Sequence, residues 1–195
     1  SGTFDYDFTN GMPTNSIIMN GEYTSFAGEK YDIAGESTVM SMQVYNIATS
    51  PVTVTIAGFG KQGALFSADP LYTMDVELPV GGDWNTIDLS QAGWTFNNGF
   101  ILAHSFDDVI SVGLDESAVP STNSMILFEG GSWGTWSDAA ADSDGAVNDG
   151  EWTIRATINQ SSANVTYNVQ RDGVQVASGL DTNGHTDTGL TNNTE

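Results

Sequence analysis

The sequence contains no cysteine and only 2 histidines among its 195 residues. Without cysteine there is no disulfide staple, no thiolate metal ligand and no cysteine nucleophile. Zinc in proteins is held mainly by cysteine and histidine, so 2 histidines are too few for a typical zinc site. The chemistry open to this chain therefore rests on its hydroxyl, amide, carboxylate and aromatic side chains.

Positive charge is almost as scarce as histidine. Only 4 Lys+Arg stand against 25 Asp+Glu, which gives a formal net charge of −21 at pH 7. Such a surface repels phosphate backbones and anionic lipids, and it attracts divalent cations. No apolar run approaches the roughly 20 residues that a membrane-spanning helix needs. We therefore expect no nucleic-acid partner and no membrane insertion, and the acidic, Asn- and Thr-rich composition indicates a secreted or cell-surface protein.

Apolar residues recur mainly with a period of two. The clearest alternating runs are residues 40–44, 52–56, 72–78 and 152–158. This period places one set of side chains on a buried sheet face and the other set in water. Two wholly apolar runs, 100–103 and 125–128, are typical of more fully buried strands.

Turn residues separate these runs, since clusters of Gly, Pro, Asn and Asp lie between them. Many short strands joined by turns predict an all-β fold over residues 1–158, a sandwich or a jelly roll. No stretch of a dozen residues has a convincing helical pattern, and we expect a loop rather than a helix after Gly134.

A polar stretch at residues 159–163 predicts a linker, followed by a second unit at residues 164–195. Val165, Tyr167 and Val169 alternate as a strand, and residues 171–173 have the composition of a hairpin turn before a returning strand at 174–177. About 32 residues bury too little apolar surface to fold alone. This unit is therefore expected to pack on the first, to pair with another chain by strand addition, or to begin a longer domain.

The second unit resembles part of a known family. Residues 167–173, 176–180 and 186–190 read YNVQRDG, VASGL and TDTGL, and they resemble the middle strands of a bacterial fibronectin type III domain. The opening and closing strands of that family are missing from the match. The resemblance implies a partial fibronectin-type sandwich at the C-terminal end of the sequence.

Residues 1–158 resemble the β-sandwich modules of large secreted bacterial proteins, of the cleaved-adhesin, MAM-like and choice-of-anchor type. The segments that carry the resemblance are FDYD at 4–7, WNTIDL at 84–89, GGSW at 130–133 and GEWTIRA at 150–156. The resemblance implies a jelly-roll fold and an accessory or adhesive role without catalysis. It does not identify a ligand.

Calcium is the cofactor that the sequence itself suggests. Asp142 and Asp144 precede a glycine, and Asp149 follows shortly after. Calcium takes six to eight oxygen ligands, both carboxylates and carbonyls, and an Asp-x-Asp-Gly turn can offer both. We therefore predict Asp142, Asp144 and Asp149 as a candidate calcium site, with a solvated acidic loop as the alternative. The EF-hand spacing is absent.

Residues 130–134 match the Gly-x-Ser-x-Gly pattern of hydrolases around Ser132. That motif needs a strand before the serine and a helix after it, to hold the hydroxyl over an oxyanion hole. No helix is expected there, His185 lies in the second unit, and His104 follows an apolar strand as a structural residue would. We therefore interpret residues 130–134 as a glycine-rich hairpin. The expectation is that the chain is not an enzyme.

Exposed tryptophans on a β-sandwich can stack on sugar rings. Trp133 and Trp136 lie in a Gly/Ser/Thr-rich segment beside the acidic loop, and they are the candidate ligand-binding residues, with core packing as the alternative. The leading hypothesis is a non-catalytic adhesion or structural module of a larger surface protein, whose partners are other domains or copies of that protein. The alternative is a carbohydrate-binding module attached to a secreted hydrolase or protease.

Overall fold

A computed structural model describes residues 2–18, 25–128, 130–161, 167–171 and 174–180. The chain divides into two compact units, Ser1–Ser161 and Ser162–Glu195. The strands of the first half are β1 (Gly2–Asp7), β2 (Asn15–Ile17), β3 (Ser25–Tyr31), β4 (Glu36–Asn46), β5 (Val52–Gln62), β6 (Leu65–Phe66), β7 (Tyr72–Leu78), β8 (Asp83–Asp88) and β9 (Thr95–Asn97). The remaining elements are β10 (Phe100–Phe106), β11 (Val112–Asp115), β12 (Ser124–Leu127), β13 (Gly134–Thr135), α1 (Trp136–Ala141), β14 (Glu151–Trp152), β15 (Ile154–Gln160), β16 (Tyr167–Arg171) and β17 (Val174–Leu180).

The first unit is a β-sandwich, as the period-two runs predict. One sheet has five strands in the order β1-β15-β4-β8, with β9 also paired to β4. The other has seven strands in the order β13-β12-β3-β10-β5-β6, with β7 paired to β5. All the strand pairs are antiparallel.

The strand order is that of a jelly roll. One sheet contains β1-β15-β4-β8 and the other β3-β10-β5-β7, and along the chain these strands alternate between the sheets except from β5 to β7, which share a sheet. The first and last strands of the unit, β1 and β15, are therefore neighbours in the same sheet. This strand order confirms the predicted fold class for the first unit. The β1–β15 pair joins strands from the two ends of the unit's sequence within one sheet.

The seven-stranded sheet is buried on both faces at its centre, which explains the wholly apolar run in β10. Phe100, Leu102 and Phe106 face the main core between the sheets, whereas Ile101 and Ala103 belong to a second cluster. That cluster includes Phe59 and Leu127, and the side chains of Phe26, Phe66 and Trp133 pack against it. The predicted strand at 125–128 is confirmed only to Leu127, because Phe128 lies beyond β12 and is 43% exposed.

The expectation of a loop after Gly134 was wrong, because a six-residue helix, α1, begins at Trp136. Thr135 caps its N-terminus: the threonine side chain accepts a hydrogen bond from the backbone N–H of Asp138, and its Oγ1 donates to Asp138 Oδ2 over 2.6 Å. The helix buries Trp136 and Ala140, one turn apart, against the sandwich. A helix this short offers too few residues for a hydrophobic period to be visible in sequence.

The second unit is described only through two strands. β16 and β17 pair antiparallel, with Arg171 opposite Val174, as the alternation of residues 165–177 predicts. Residues 172–173 and 181–195 lie outside the described residues, and so do the turn and the TDTGL segment on which the fibronectin resemblance partly rests. An isolated two-stranded hairpin is marginally stable at best. The fibronectin assignment stays a prediction.

A small three-stranded sheet, β14-β11-β2, holds the segment after β1 against the sandwich. Asp115, at the end of β11, is fully buried. Its Oδ2 accepts a hydrogen bond from the backbone N–H of Asn10 over 2.7 Å, and its Oδ1 accepts from the N–H and hydroxyl of Ser117. Burial alone would raise the pKa of Asp115, but these hydrogen bonds outweigh it and hold the pKa below its ordinary value.

We expect Asp115→Asn to lower the free energy of unfolding by about 1–3 kcal/mol at pH 7, because charge-assisted hydrogen bonds to Asn10 and Ser117 are lost. Since folding lowers the pKa of Asp115, this contribution is present at neutral pH and disappears as the pH falls through the folded-state pKa. Urea unfolding at pH 7 and below pH 4 measures both effects. Asp108→Asn, at an exposed position, is the matched control; equal losses in the two variants would contradict the role of Asp115.

Candidate binding surface

The outer face of the five-stranded sheet carries two rows of polar side chains that cross four strands. In the first row Asp7, Arg155, Gln43 and Thr86 are successive cross-strand partners on β1, β15, β4 and β8. In the second row Asp5, Thr157, Ser41 and Asp88 occupy the same four strands. Because paired residues project to the same side of a sheet, both rows lie on one face. We call this face, with Tyr45 and Trp84, the outer polar face.

Arg155 is the centre of the outer polar face. Its Nε lies 2.8 Å from Asp7 Oδ2, and its guanidinium carbon lies 3.8 Å from the centroid of the Trp84 ring. Its Nη2 donates to the carbonyl of Gly11 over 3.2 Å and, more weakly, to Thr9 Oγ1 over 3.4 Å. An arginine fixed by a carboxylate, a carbonyl and an aromatic ring has little conformational freedom left.

Trp84 and Tyr45 form an aromatic pair beside Arg155. Their ring centroids are 5.6 Å apart in a T-shaped arrangement with an interplanar angle of 89°. Trp84 Nε1 donates to the carbonyl of Gly11 over 3.0 Å, and the Tyr45 hydroxyl donates to the carbonyl of Gly82 over 2.6 Å. Both rings are therefore held in place through their polar ends, and Trp84 ties the loop after β1 to the sheet surface.

A cavity of about 290 Å³ runs along β15 on this face, between β1 and β4. Its polar lining comes from Asp5, Asp7, Gln43, Arg155 and Thr157. Thr157 Oγ1 donates to Asp5 Oδ1 over 2.7 Å, and Gln43 Nε2 donates to Thr86 Oγ1 over 3.0 Å. The cavity thus combines carboxylate, amide, hydroxyl and guanidinium groups next to aromatic rings, which suits a polar ligand with some apolar surface.

The two tryptophans predicted to bind a ligand are held by packing. Trp136 is only 3% exposed, its ring lies 4.6 Å from that of Trp152, and its Nε1 donates to the carbonyl of Asn148. Trp133 is partly buried, packs edge-on against Phe59 and donates to the carbonyl of Ser67 over 2.9 Å. Trp136 therefore offers no ring face to a ligand. A ligand contact for Trp133 stays a prediction.

The three aspartates of the predicted calcium site serve local structure. Asp142 is the C-cap of α1, and Asp144 adopts a left-handed backbone conformation with φ 54°. Asp149 Oδ1 accepts hydrogen bonds from the Ser137 hydroxyl over 2.9 Å and from the Gly150 N–H over 2.8 Å. Within the described ranges, no group of three or more His, Asp or Glu side chains is arranged to hold a metal ion. Calcium binding stays a prediction of the sequence.

The serine of the formal hydrolase motif and the one histidine among the described residues lie on different elements. Ser132 lies in the segment between β12 and β13, whereas His104 is on β10 and only 2% exposed. His104 Nδ1 contacts the carbonyl of Ser105 over 2.9 Å, and burial lowers the pKa of His104 to about 4. His185 lies outside the described residues. A neutral histidine enclosed by the core is a structural residue.

No protein-family model and no curated protein matches the chain. Among solved structures, the chain is similar to the clostridial cysteine protease Cwp84, solved after propeptide cleavage, with a TM-score of 0.57 and 10% sequence identity. The match covers 82% of this chain and 40% of that protein, so the chain spans less than half of its structural neighbour. At this identity the likeness shows the fold alone. None of the helices in the described part of the chain is long and apolar enough to cross a membrane.

We expect Arg155→Gln to lower the free energy of unfolding by about 1–3 kcal/mol, because Asp7 loses its charged partner and the Gly11 carbonyl loses a donor. The matched control is Lys61→Gln, which also removes one positive charge but breaks a more exposed ion pair with Asp32, so about 0–1 kcal/mol is expected. Chemical denaturation at constant ionic strength measures both losses. A loss in Arg155→Gln no larger than in the control would contradict the central role of Arg155.

Proposed function

We propose that this chain is a non-catalytic adhesion module of a larger secreted or cell-surface protein, and that the outer polar face is its contact surface. The observation that carries the proposal is the ordering of that face. Arg155, Trp84 and Tyr45 are fixed by hydrogen bonds and stacking before any partner binds. A surface that is already ordered loses little side-chain entropy on binding, which favours adhesion by contacts that are individually weak.

The side chains of the described residues support a binding role more than a catalytic one. His104 is enclosed in the core and neutral, and Ser132 lies in a segment with no base bonded to its hydroxyl among the described residues. The chain has no cysteine, so it lacks the nucleophile that the name of its structural neighbour implies. Extracellular location is supported by composition, through the net charge of −21, the many Asn, Thr, Ser and Gly residues and the scarcity of Lys.

The second candidate is carbohydrate binding, and the cavity along β15 is what favours it. Sugars present hydroxyl groups that match carboxylate, amide and threonine side chains, together with apolar C–H faces that contact aromatic rings. Asp5, Gln43 and Thr157 supply the first kind of group, and the Trp84 ring, paired with Tyr45, contacts Arg155 at the edge of the cavity. Because Asp7 neutralises Arg155 and the chain is strongly acidic, uncharged glycans are favoured over sulfated ones.

The test is the retention of beads coated with the full chain on three defined layers under flow. The layers are a neutral polysaccharide, a sulfated polysaccharide and the same chain. We expect the variant carrying Asp5→Ala and Gln43→Ala to be retained about thirtyfold less than the parent chain, because each substitution removes hydrogen bonds worth about 1 kcal/mol and the two losses add to about 2 kcal/mol. Thr73→Ala, at an exposed position of β7, is the control.

The layer that retains the beads separates the two candidates. Variant-sensitive retention on the neutral polysaccharide supports a carbohydrate-binding module, and variant-sensitive retention on the chain-coated layer supports adhesion between copies. If parent, double variant and control are retained equally on every layer, the outer polar face is not the contact surface and the proposal fails.

A further inference from the structure

Two glutamates are buried side by side where β3, β12 and β14 meet. Glu29 on β3 and Glu151 on β14 are both 0% exposed. Both contact the hydroxyl oxygen of Ser124, the first residue of β12: Glu29 Oε1 lies 2.5 Å from Ser124 Oγ, and Glu151 Oε2 lies 2.8 Å from it. This cluster is separate from the outer polar face and plays no part in the proposed function.

The single hydroxyl hydrogen of Ser124 cannot be donated to two ionised carboxylates at once. A serine hydroxyl has one hydrogen to donate, and its oxygen can accept through two lone pairs. The backbone N–H of Trp152 is shared: it donates to this oxygen over 2.9 Å, which occupies one lone pair, and to Glu29 Oε1 over 3.1 Å. Only one glutamate can therefore accept the serine hydrogen, and the other short O···O contact requires a further proton located on a carboxyl group.

The contacts of the two carboxyl groups indicate which one carries that proton. Glu151 accepts at both oxygens, from the hydroxyl of Ser124 at Oε2 and from the backbone N–H of Ser121 at Oε1, as an ionised carboxylate does. Glu29 Oε2 is buried and has no hydrogen-bond partner among the described residues. An unpartnered oxygen costs much more free energy when it belongs to a buried charge than when it belongs to a neutral acid.

We propose that Glu29 is a proton-binding site, in which a neutral Glu29 carboxylic acid donates to Ser124, and the Ser124 hydroxyl donates to an ionised Glu151. Oε1 of Glu29 carries the proton, and release of that proton leaves two negative charges on either side of one hydroxyl. The three side chains join β3 of the sandwich to β14 of the three-stranded sheet. Proton release therefore weakens the junction between these two sheets.

The charges around Glu29 support its protonation. Burial raises the pKa of Glu29 well above its ordinary value of 4.5, the negative charges of Glu151 and Asp7 add to this, and the hydrogen bonds with Ser124 and Trp152 offset part of it. The other titratable groups nearby are Tyr6 and Tyr31, His104 on β10, Asp149, and Asp115, which is opposite Glu151 on β11. Burial also raises the pKa of Glu151, and the hydrogen bonds from Ser124 and Ser121 offset part of that rise. Tyr31 and His104 are themselves buried, and burial raises the pKa of Tyr31 and lowers that of His104, so both stay neutral near pH 7.

The consequence for stability follows from the sign of the shift. A carboxyl group whose pKa is raised by folding binds more protons in the folded chain than in the unfolded one. The stabilisation is complete below the unfolded-state pKa near 4.5 and is lost as the pH rises towards the folded-state pKa. Over that interval the unfolding equilibrium constant increases up to about tenfold per pH unit.

The experiment compares the full chain with Glu29→Gln, because glutamine donates to Ser124 through its amide but cannot release a proton. We expect the ratio of the unfolding constants, parent over variant, to rise up to about tenfold per pH unit above pH 4.5 and then level off. His104 acts in both proteins alike, so its opposite effect between pH 4 and 6.5 cancels in the ratio. Glu77→Gln, at an exposed position of β7, removes the same charge and should give a flat ratio.

A ratio for Glu29→Gln that is as flat as that of Glu77→Gln overturns the proposal. If Glu29→Gln does not fold, carbon NMR of the eight glutamate carboxyl groups in the parent chain decides instead. One signal that titrates well above the others supports the proton site, and titration of all eight in the ordinary range overturns it. The last measurement compares Tm at pH 8 with and without calcium, at constant ionic strength. A calcium-dependent rise in Tm that Glu29→Gln abolishes shows that a cation occupies the site, and this also overturns the proposal.

Discussion

The pairing of β1 with β15 is the constraint on which the outer surface of this protein depends. Thr157 and Asp5 are 152 positions apart in sequence, yet their side chains are hydrogen-bonded on adjacent strands. The same pairing sets Asp7 opposite Arg155, and Arg155 in turn fixes Trp84 and the loop at Gly11. The outer polar face exists only because the jelly-roll order makes the first and last strands of the unit neighbours, so its integrity and that of the fold cannot be separated.

The seven-stranded sheet is subject to a different constraint. Both of its faces are covered at the centre, so water can reach a polar group at few positions there. Its centre is apolar on either side, through Phe100 and Leu102 facing the core and Ile101 and Ala103 facing the second cluster. Glu29 lies on this sheet, opposite Leu102 in the β3–β10 pair. Burying a charged side chain at such a position would cost free energy. The stability of this sheet therefore depends on the hydrogen-bond partners of Glu29 and on its protonation state.

The sequence predicted the strands better than it predicted the site. Alternation in residues 52–56 and 72–78 reflects the part of the seven-stranded sheet whose outer face is exposed, and it located the start of β5 and the whole of β7. The helix α1 was missed because six residues show no period, although Thr135 and Asp138 have the spacing of a capping box. Trp136 was a candidate ligand-binding residue, with core packing as the alternative, because its polar neighbours resemble a loop; they are helix-capping and helical residues around a buried ring. Arg155 and Gln43 carried no local signal, since their importance comes from cross-strand register, which a single sequence does not contain.

The extreme acidity of the chain connects the two sites. Each basic residue among the described residues of the first unit lies within 3.2 Å of an aspartate: Lys30 and Lys61 contact Asp32, and Arg155 contacts Asp7. The three basic side chains thus form intramolecular ion pairs, and this unit offers little free positive charge to a partner. The same excess of negative charge disfavours one more ionised carboxylate in the core, because like charges raise the free energy of ionisation and salt screens them less in a buried site than at the surface. The excess of carboxylates therefore accounts for the acidic exterior and adds to the raised pKa of Glu29, whose largest cause is burial.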